Sequence, residues 1–180
     1  MKFKSTLLLS IITLSSFMVK ADNSDSCLLI KGYISEKGKK SYQAKVKAFE
    51  GNNLIWFATT AQNGSFEFII PQNKYVTLVV EKDGFMSKYI MFDTRSERMP
   101  RNLEPYECQI DLVQESDLKG VDISRLEFPI AIVEFDKKTK QFNHNTSYTD
   151  NMIEDYNYLL NKAALKQKAQ RKKRVKHSKQ

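Results

Sequence analysis

The sequence predicts a mainly β chain: a seven-stranded antiparallel β-sandwich, then a β-hairpin, then a basic α-helical tail. Three observations carry this. Seven stretches with strand character fall within fewer than 100 residues. Turn residues separate them at intervals of roughly 8–12 residues. No apolar repeat of helical period appears before residue 149. A single sheet would leave its Val and Phe face in water, so a second sheet about 10 Å away should cover it.

Each element has its own signal. CLLIKGYISE opens the series and KGKK turns the chain. In SYQAKVKAFE, Tyr42, Ala44, Val46 and Ala48 alternate with Gln43, Lys45 and Lys47. Gly51-Asn52-Asn53 leads into LIWFATT. Asn63-Gly64 bends the chain again, because both residues tolerate positive φ. GSFEFII follows, with Phe66, Phe68 and Ile70 on one face. YVTLVVE puts Val76, Leu78 and Val80 together, Lys82-Asp83-Gly84 turns, and FMSKYIMFD follows. A polar loop then leads to YECQIDLVQ.

Beyond Gln114, ESDLKGVDISRLEF reads as loop or short helix. FPIAIVEF and QFNHN, joined by DKKTK, read as a hairpin apolar on both faces. Such a strand packs on something, so it is expected to lie against the sandwich as an appendage. From Thr149 a helix is expected. Met152/Ile153, Tyr156, Leu159/Leu160 and Ala163/Ala164 recur at three and four residues, with Thr149-Asp150 as the cap region. After Ala164 the apolar face ends, and the basic run is expected to fray into disorder.

The order of short motifs adds a resemblance. KGYISE, AKVKAFE, TTAQNGSFEFIIP and YVTLVVEKDGFMSKYIMFDT resemble, in that order, the carboxypeptidase regulatory-like domain. Its opening G-x-V/I falls on Gly32 and Ile34. Its T-x-x-x-G-x-F falls on Thr60, Gly64 and Phe66, and its K-x-G-Y/F on Lys82, Gly84 and Phe85. The match covers residues 28–113. Where that family commonly has Asp after the Thr, this chain has Ala61. The resemblance implies a transthyretin-like β-sandwich in an exported protein of the Bacteroidota envelope. It implies no peptidase activity, since the domain accompanies catalytic domains and lacks their zinc site.

The amino-terminal segment fits export. Lys2 and Lys4 precede an apolar run from Leu7 to Val19, and Val19-Lys20-Ala21 suits signal peptidase. The run is short for a membrane span, which takes about 20 residues. The expected organisation is therefore a signal peptide (1–21), a carboxypeptidase regulatory-like sandwich (22–115), a linker and hairpin (116–148), and a helix running into a basic tail (149–180). No transmembrane segment is expected in the mature chain, and the expected location is the periplasm or the outer-membrane or cell surface.

Charge is uneven. Residues 162–180 hold 9 Lys and Arg and no acid, whereas residues 22–161 hold 17 basic against all 21 acidic residues. Lys166, Lys168, Arg171, Lys172, Lys173, Arg174 and Lys176 are thus candidates for contact with an anionic envelope surface or an envelope protein. A solvated, merely solubilising terminus is the bland reading. Nucleic acid is the same electrostatics with another polyanion, and export argues against it.

Two cysteines remain after export. A bridge between Cys27 and Cys108 would suit an oxidising compartment. Strand parity favours the alternative, with Cys108 turned inward beside Ile110 and Leu112 and Cys27 outward.

Little in the sequence points to catalysis. His144 and His177 are the only histidines, and no H-E-x-x-H, C-x-x-C, G-x-S-x-G or phosphate-binding loop occurs. No catalytic residue, metal site or cofactor is expected, and the chain is expected not to be an enzyme. Trp56 is the residue to watch for an alternative role, a carbohydrate-binding module with an exposed aromatic platform.

Overall fold

Alternating apolar residues need two surfaces to bury them, and the fold supplies two sheets. The computed structural model describes residues 27–96, 99–100 and 102–177. The expected signal peptide lies outside that range. Among the described residues ten strands form in chain order: β1 (Cys27–Glu36), β2 (Lys39–Lys40), β3 (Lys45–Glu50), β4 (Asn53–Thr59), β5 (Ser65–Pro71), β6 (Tyr75–Glu81), β7 (Lys88–Asp93), β8 (Tyr106–Leu112), β9 (Ala131–Asp136) and β10 (Gln141–His144). An α-helix, α1 (Thr146–His177), ends the series.

The first sheet is built on β1, which pairs antiparallel with β5 and β2 and parallel with β8. The second runs β10-β9-β7-β6-β3-β4, with β7 and β9 parallel. Their inner faces share one core. Leu28, Ile30, Phe68 and Ile110 come from the first sheet, and Val46, Leu78, Phe92 and Val133 from the second. Each such side chain contributes about 1.5–3 kcal/mol by burial. The expected mainly β class is therefore right.

The detail departs from expectation in four ways. There are ten strands among the described residues rather than seven plus a hairpin, because Lys39-Lys40 folds back onto Ser35-Glu36. The sheets are mixed rather than antiparallel. The hairpin is no separate appendage: Ile90 to Asp93 pair with Ala131 to Glu134, and Val133 and Phe142 enter the common core. Its two apolar faces thus belong to a strand inside a sheet. Finally, Tyr42 is exposed, because β3 starts at Lys45 after Gln43 takes φ 60°.

The four motifs meet at one corner. Gly64 has φ +79°, and a Cβ there would lie 2.5 Å from the Ile34 carbonyl oxygen. Its own carbonyl accepts from Ile34 N at 2.8 Å. Thr60 Oγ1 is buried, donates to the Ser41 carbonyl at 2.8 Å and accepts from Ala44 N at 3.1 Å. The Phe66 ring fills the space a side chain would take at Gly32. Lys82 pairs with Glu36 and donates to Ser41 Oγ and the Tyr42 carbonyl, both at 3.1 Å. Partial burial works to raise the Glu36 carboxyl, but the bonds from Lys82 and Ser41 outweigh it and hold it below the usual range. In the turn that follows Ala61, Asn63 Oδ1 accepts from Ser65 N at 3.0 Å.

Helix α1 begins three residues earlier than expected and runs further. Asn145 Oδ1 accepts from Tyr148 N at 3.1 Å, the geometry of an N-cap. Met152, Tyr156, Leu159 and Ala163 are its buried face. The first three pack on Met86, Leu118 and Leu126. The helix then continues to His177 instead of fraying after Ala164. Lys, Arg, Gln and Ala are strong helix formers, and cations suit the negative end of the helix dipole.

Candidate functional site

A groove opens where the first sheet stops short of the helix. β8 has β1 on one side and, among the described residues, no strand on the other. Facing its free side are β7, β9 and α1, and the space between them is about 480 Å³. Ile90, Ile110, Ala131, Met152, Ile153 and Leu160 make most of the wall apolar.

Polar residues, Glu107, Asp111 and His144 among them, also line the groove, and Lys88 is the charged one that is buried. In β7 it shares its side with Ile90 and Phe92, so the register points it inward. Only 6% of the residue is exposed. Its Nζ lies over the Tyr156 ring, 3.4 Å from the centroid. The ring face attracts the cation, but burial dominates and pushes the amine down to about 8, against a weaker upward pull from Asp111. Among the described residues, none of the ion pairs includes Lys88. Asp111 is occupied elsewhere, accepting from Ser35 Oγ at 2.7 Å and Gly38 N at 3.3 Å. Glu107 lines the groove but stands exposed.

Other polar atoms near the groove lack partners. Tyr156 Oη and Thr149 Oγ1 are buried without a hydrogen bond among the described residues. Burial raises the Tyr156 phenol. No group of three or more His, Cys, Asp or Glu among the described residues could hold a metal. Lys88 is the residue that sequence reasoning misses, although its parity with Ile90 and Phe92 is an available signal.

The cysteines do not bridge. Cys108 is a free thiol, half-buried on the groove wall, and burial pushes it up to about 12. Backbone register explains why. Cys108 pairs with Gly32, whereas Cys27 pairs with Pro71, five residues earlier along β1. That separation is about 16 Å along a strand, far beyond the roughly 4.4–6.8 Å a disulfide spans. In a Cys27→Ser variant, Cys108 should therefore react with a disulfide reagent about a hundredfold or more slower than a free thiol peptide at neutral pH. Equal rates would show that the wall is open to the reagent.

Trp56 stacks on Phe68, with ring centroids 4.9 Å apart and planes at 27°. It is partly buried against the core, so one face is unavailable as a platform. Beside it, Leu54, Ile55 and Phe57 are exposed on the edge strand β4.

Of the basic candidates, Lys166, Lys168, Arg171 and Lys172 are exposed. Lys166 Nζ donates to the Gly120 carbonyl at 2.8 Å, so it ties the helix to the body. Gln167 Nε2 donates to the Ser116 carbonyl at 2.9 Å. Lys173, Arg174 and Lys176 lie on the helix, but their side chains are outside the described ones. Among the described residues no helix is long and apolar enough to cross a membrane.

No protein-family model and no curated protein sequence matches this chain. Three solved structures show a distant likeness. A 3-chlorocatechol 1,2-dioxygenase from Rhodococcus opacus 1CP is 11% identical at TM-score 0.34, over 52% of this chain and 60% of that one. A catechol 1,2-dioxygenase from Acinetobacter sp. ADP1 is 13% identical at TM-score 0.35, over 53% and 55%. The dioxygenase domain of a carbohydrate-binding fusion protein from Streptomyces sp. SirexAA-E is 12% identical at TM-score 0.35, over 53% and 83%. The match thus spans little more than half the length of the first two. All three are dioxygenases, so the expectation that the chain is not an enzyme is corrected and dropped, while so slight a likeness gives this chain no dioxygenase chemistry.

Proposed function

We propose that this chain is an exported binding or assembly module of the bacterial envelope. On this reading residues 22–115 form a β-sandwich of the carboxypeptidase regulatory-like type, and the end of α1 holds it at an anionic surface. Two things support the sandwich: the two-sheet core, and the meeting of Gly32, Thr60, Gly64 and Lys82 at one corner.

The observation that carries the surface contact is the helix end. Among the described residues Gln167 makes the last hydrogen bond to the body, yet α1 continues ten residues to His177. That is about 15 Å of helix. Lys168, Arg171 and Lys172 are exposed on it, and no acid follows Asp155 in the sequence. Each basic residue near an anionic lipid surface contributes about 1 kcal/mol, and salt screens the attraction. An acidic envelope protein would be held by the same charges.

Sedimentation with vesicles tests this directly. The protein should come down with phosphatidylglycerol vesicles at low salt, and not with phosphatidylcholine vesicles. The combined substitution of Lys168, Arg171 and Lys172 by Gln should weaken binding about a hundredfold. Unchanged sedimentation and unchanged cell fractionation of that variant would overturn the surface role.

A further inference from the structure

We propose that the groove between β8 and α1 is a binding site for a small monocarboxylate with an apolar body, its carboxylate held by Lys88. The site is independent of the helix end.

A lysine in phase with Ile90 and Phe92 sends a long side chain into apolar surroundings. Such a chain usually reaches water or a counter-charge. Here it reaches the Tyr156 ring and stops, 3.4 Å from its centroid. The ring covers one side of the ammonium and supplies no negative charge. Of the two acids on the groove wall, Asp111 pulls on the ammonium less than burial opposes it, and neither forms an ion pair with it. Asp111 is bonded to Ser35 and Gly38, and Glu107 stands in solvent. Among the described residues the cation is thus desolvated and unpaired, a costly state that an incoming anion relieves.

The wall limits what that anion can be. The volume, about 480 Å³, lies within the range of small-molecule pockets, roughly 300–1,000 Å³. Ile90, Ile110, Met152, Ile153 and Leu160 line the same groove and make much of its surface aliphatic. Inorganic phosphate would leave that surface wet. An alkyl alcohol would leave the ammonium unpaired, and an alkyl amine would be repelled. A carboxylate on an aliphatic chain meets both demands at once. One charge is placed, and the rest of the ligand is held by burial.

Calorimetry with octanoate, octanol and octylamine on the purified protein at neutral pH tests this, with octanoate kept below its micelle concentration. Octanoate should bind saturably with one site, and octanol about tenfold or more weaker. Octylamine should show no heat of binding. Lys88→Met keeps the length and packing of the side chain without its charge. It should weaken octanoate about tenfold or more and leave octanol as it was. The Gln triple variant of Lys168, Arg171 and Lys172 should bind octanoate like the parent, which separates this site from the surface contact. Equal octanoate affinity in the parent and Lys88→Met would overturn the proposal. So would equal affinity for octanoate and octanol, or no octanoate binding at all.

Discussion

Replacing Gly64 by alanine should cost about 3 kcal/mol or more, a loss large enough to leave a single domain partly unfolded. Two costs add. At φ +79° an L side chain is strained by about 1–2 kcal/mol. The new Cβ would also sit 2.5 Å from the Ile34 carbonyl oxygen, and that atom is backbone, not the tip of a flexible side chain. Relief requires moving the 61–65 turn away from β1. That motion pulls on the bond from Ile34 N to the Gly64 carbonyl and disturbs the Thr60 brace across to Ser41. Gly84 provides the control. Its φ is +81°, but nothing lies within 4 Å of the place a Cβ would take. Gly84→Ala should therefore show the backbone strain alone, about 1–2 kcal/mol. Urea unfolding of the two variants separates the terms. Equal losses would mean that the close approach at Gly64 carries no cost.

Much of the body is legible in the sequence because its signals are local. Asn63-Gly64 marks the bend, and Phe66, Phe68 and Ile70 are buried as their parity requires. The motif residues are legible as a set, and the structure gives the reason: Gly32 accommodates Phe66, Gly64 lies against Ile34, and Lys82 reaches back to Glu36. What is not legible is long-range. Nothing in YECQIDL says that it runs parallel to β1, and nothing in AIVEF names β7 as its neighbour. Pairing partners are chosen by the assembled core, not by the strand's own pattern. The absence of a bridge at Cys108, which strand parity already favours, has its geometric reason in the pairing register, where Cys27 and the partner of Cys108 stand five residues apart. The helix end misleads differently. A fading apolar face suggests that the helix stops, although the residues beyond it keep high intrinsic propensity. Lys88 is written in the sequence, in phase with Ile90 and Phe92. It escapes notice there because one polar residue in a stripe does not disturb a strand assignment.

Lys88→Met should make the protein more stable at neutral pH, by about 1–3 kcal/mol. Burial lowers the amine from 10.5 to about 8 in the folded chain, with only a partial upward pull from Asp111. One pKa unit corresponds to about 1.4 kcal/mol, so the charged form is destabilised in the fold by up to about 3 kcal/mol. The sign with pH follows. Between about 8 and 10.5 the unfolded chain binds a proton at this residue and the folded chain does not. The stability of the parent protein should therefore rise with pH across that window, as far as Lys88 is concerned. Below about 8 both states hold the proton and the full penalty stands. Methionine carries no such penalty and adds apolar contact with Met152 and Tyr156 in the groove. Its advantage should be largest at neutral pH and shrink as pH climbs toward about 10. Paired urea titrations near neutral pH and about two and a half units above it would show this. A parent protein more stable than Lys88→Met at neutral pH would mean that the Tyr156 ring and Asp111 fully satisfy the ammonium. A side chain that lowers stability in the empty groove has its use in what the groove holds, and the carboxylate of a bound ligand should reverse the order of the two proteins.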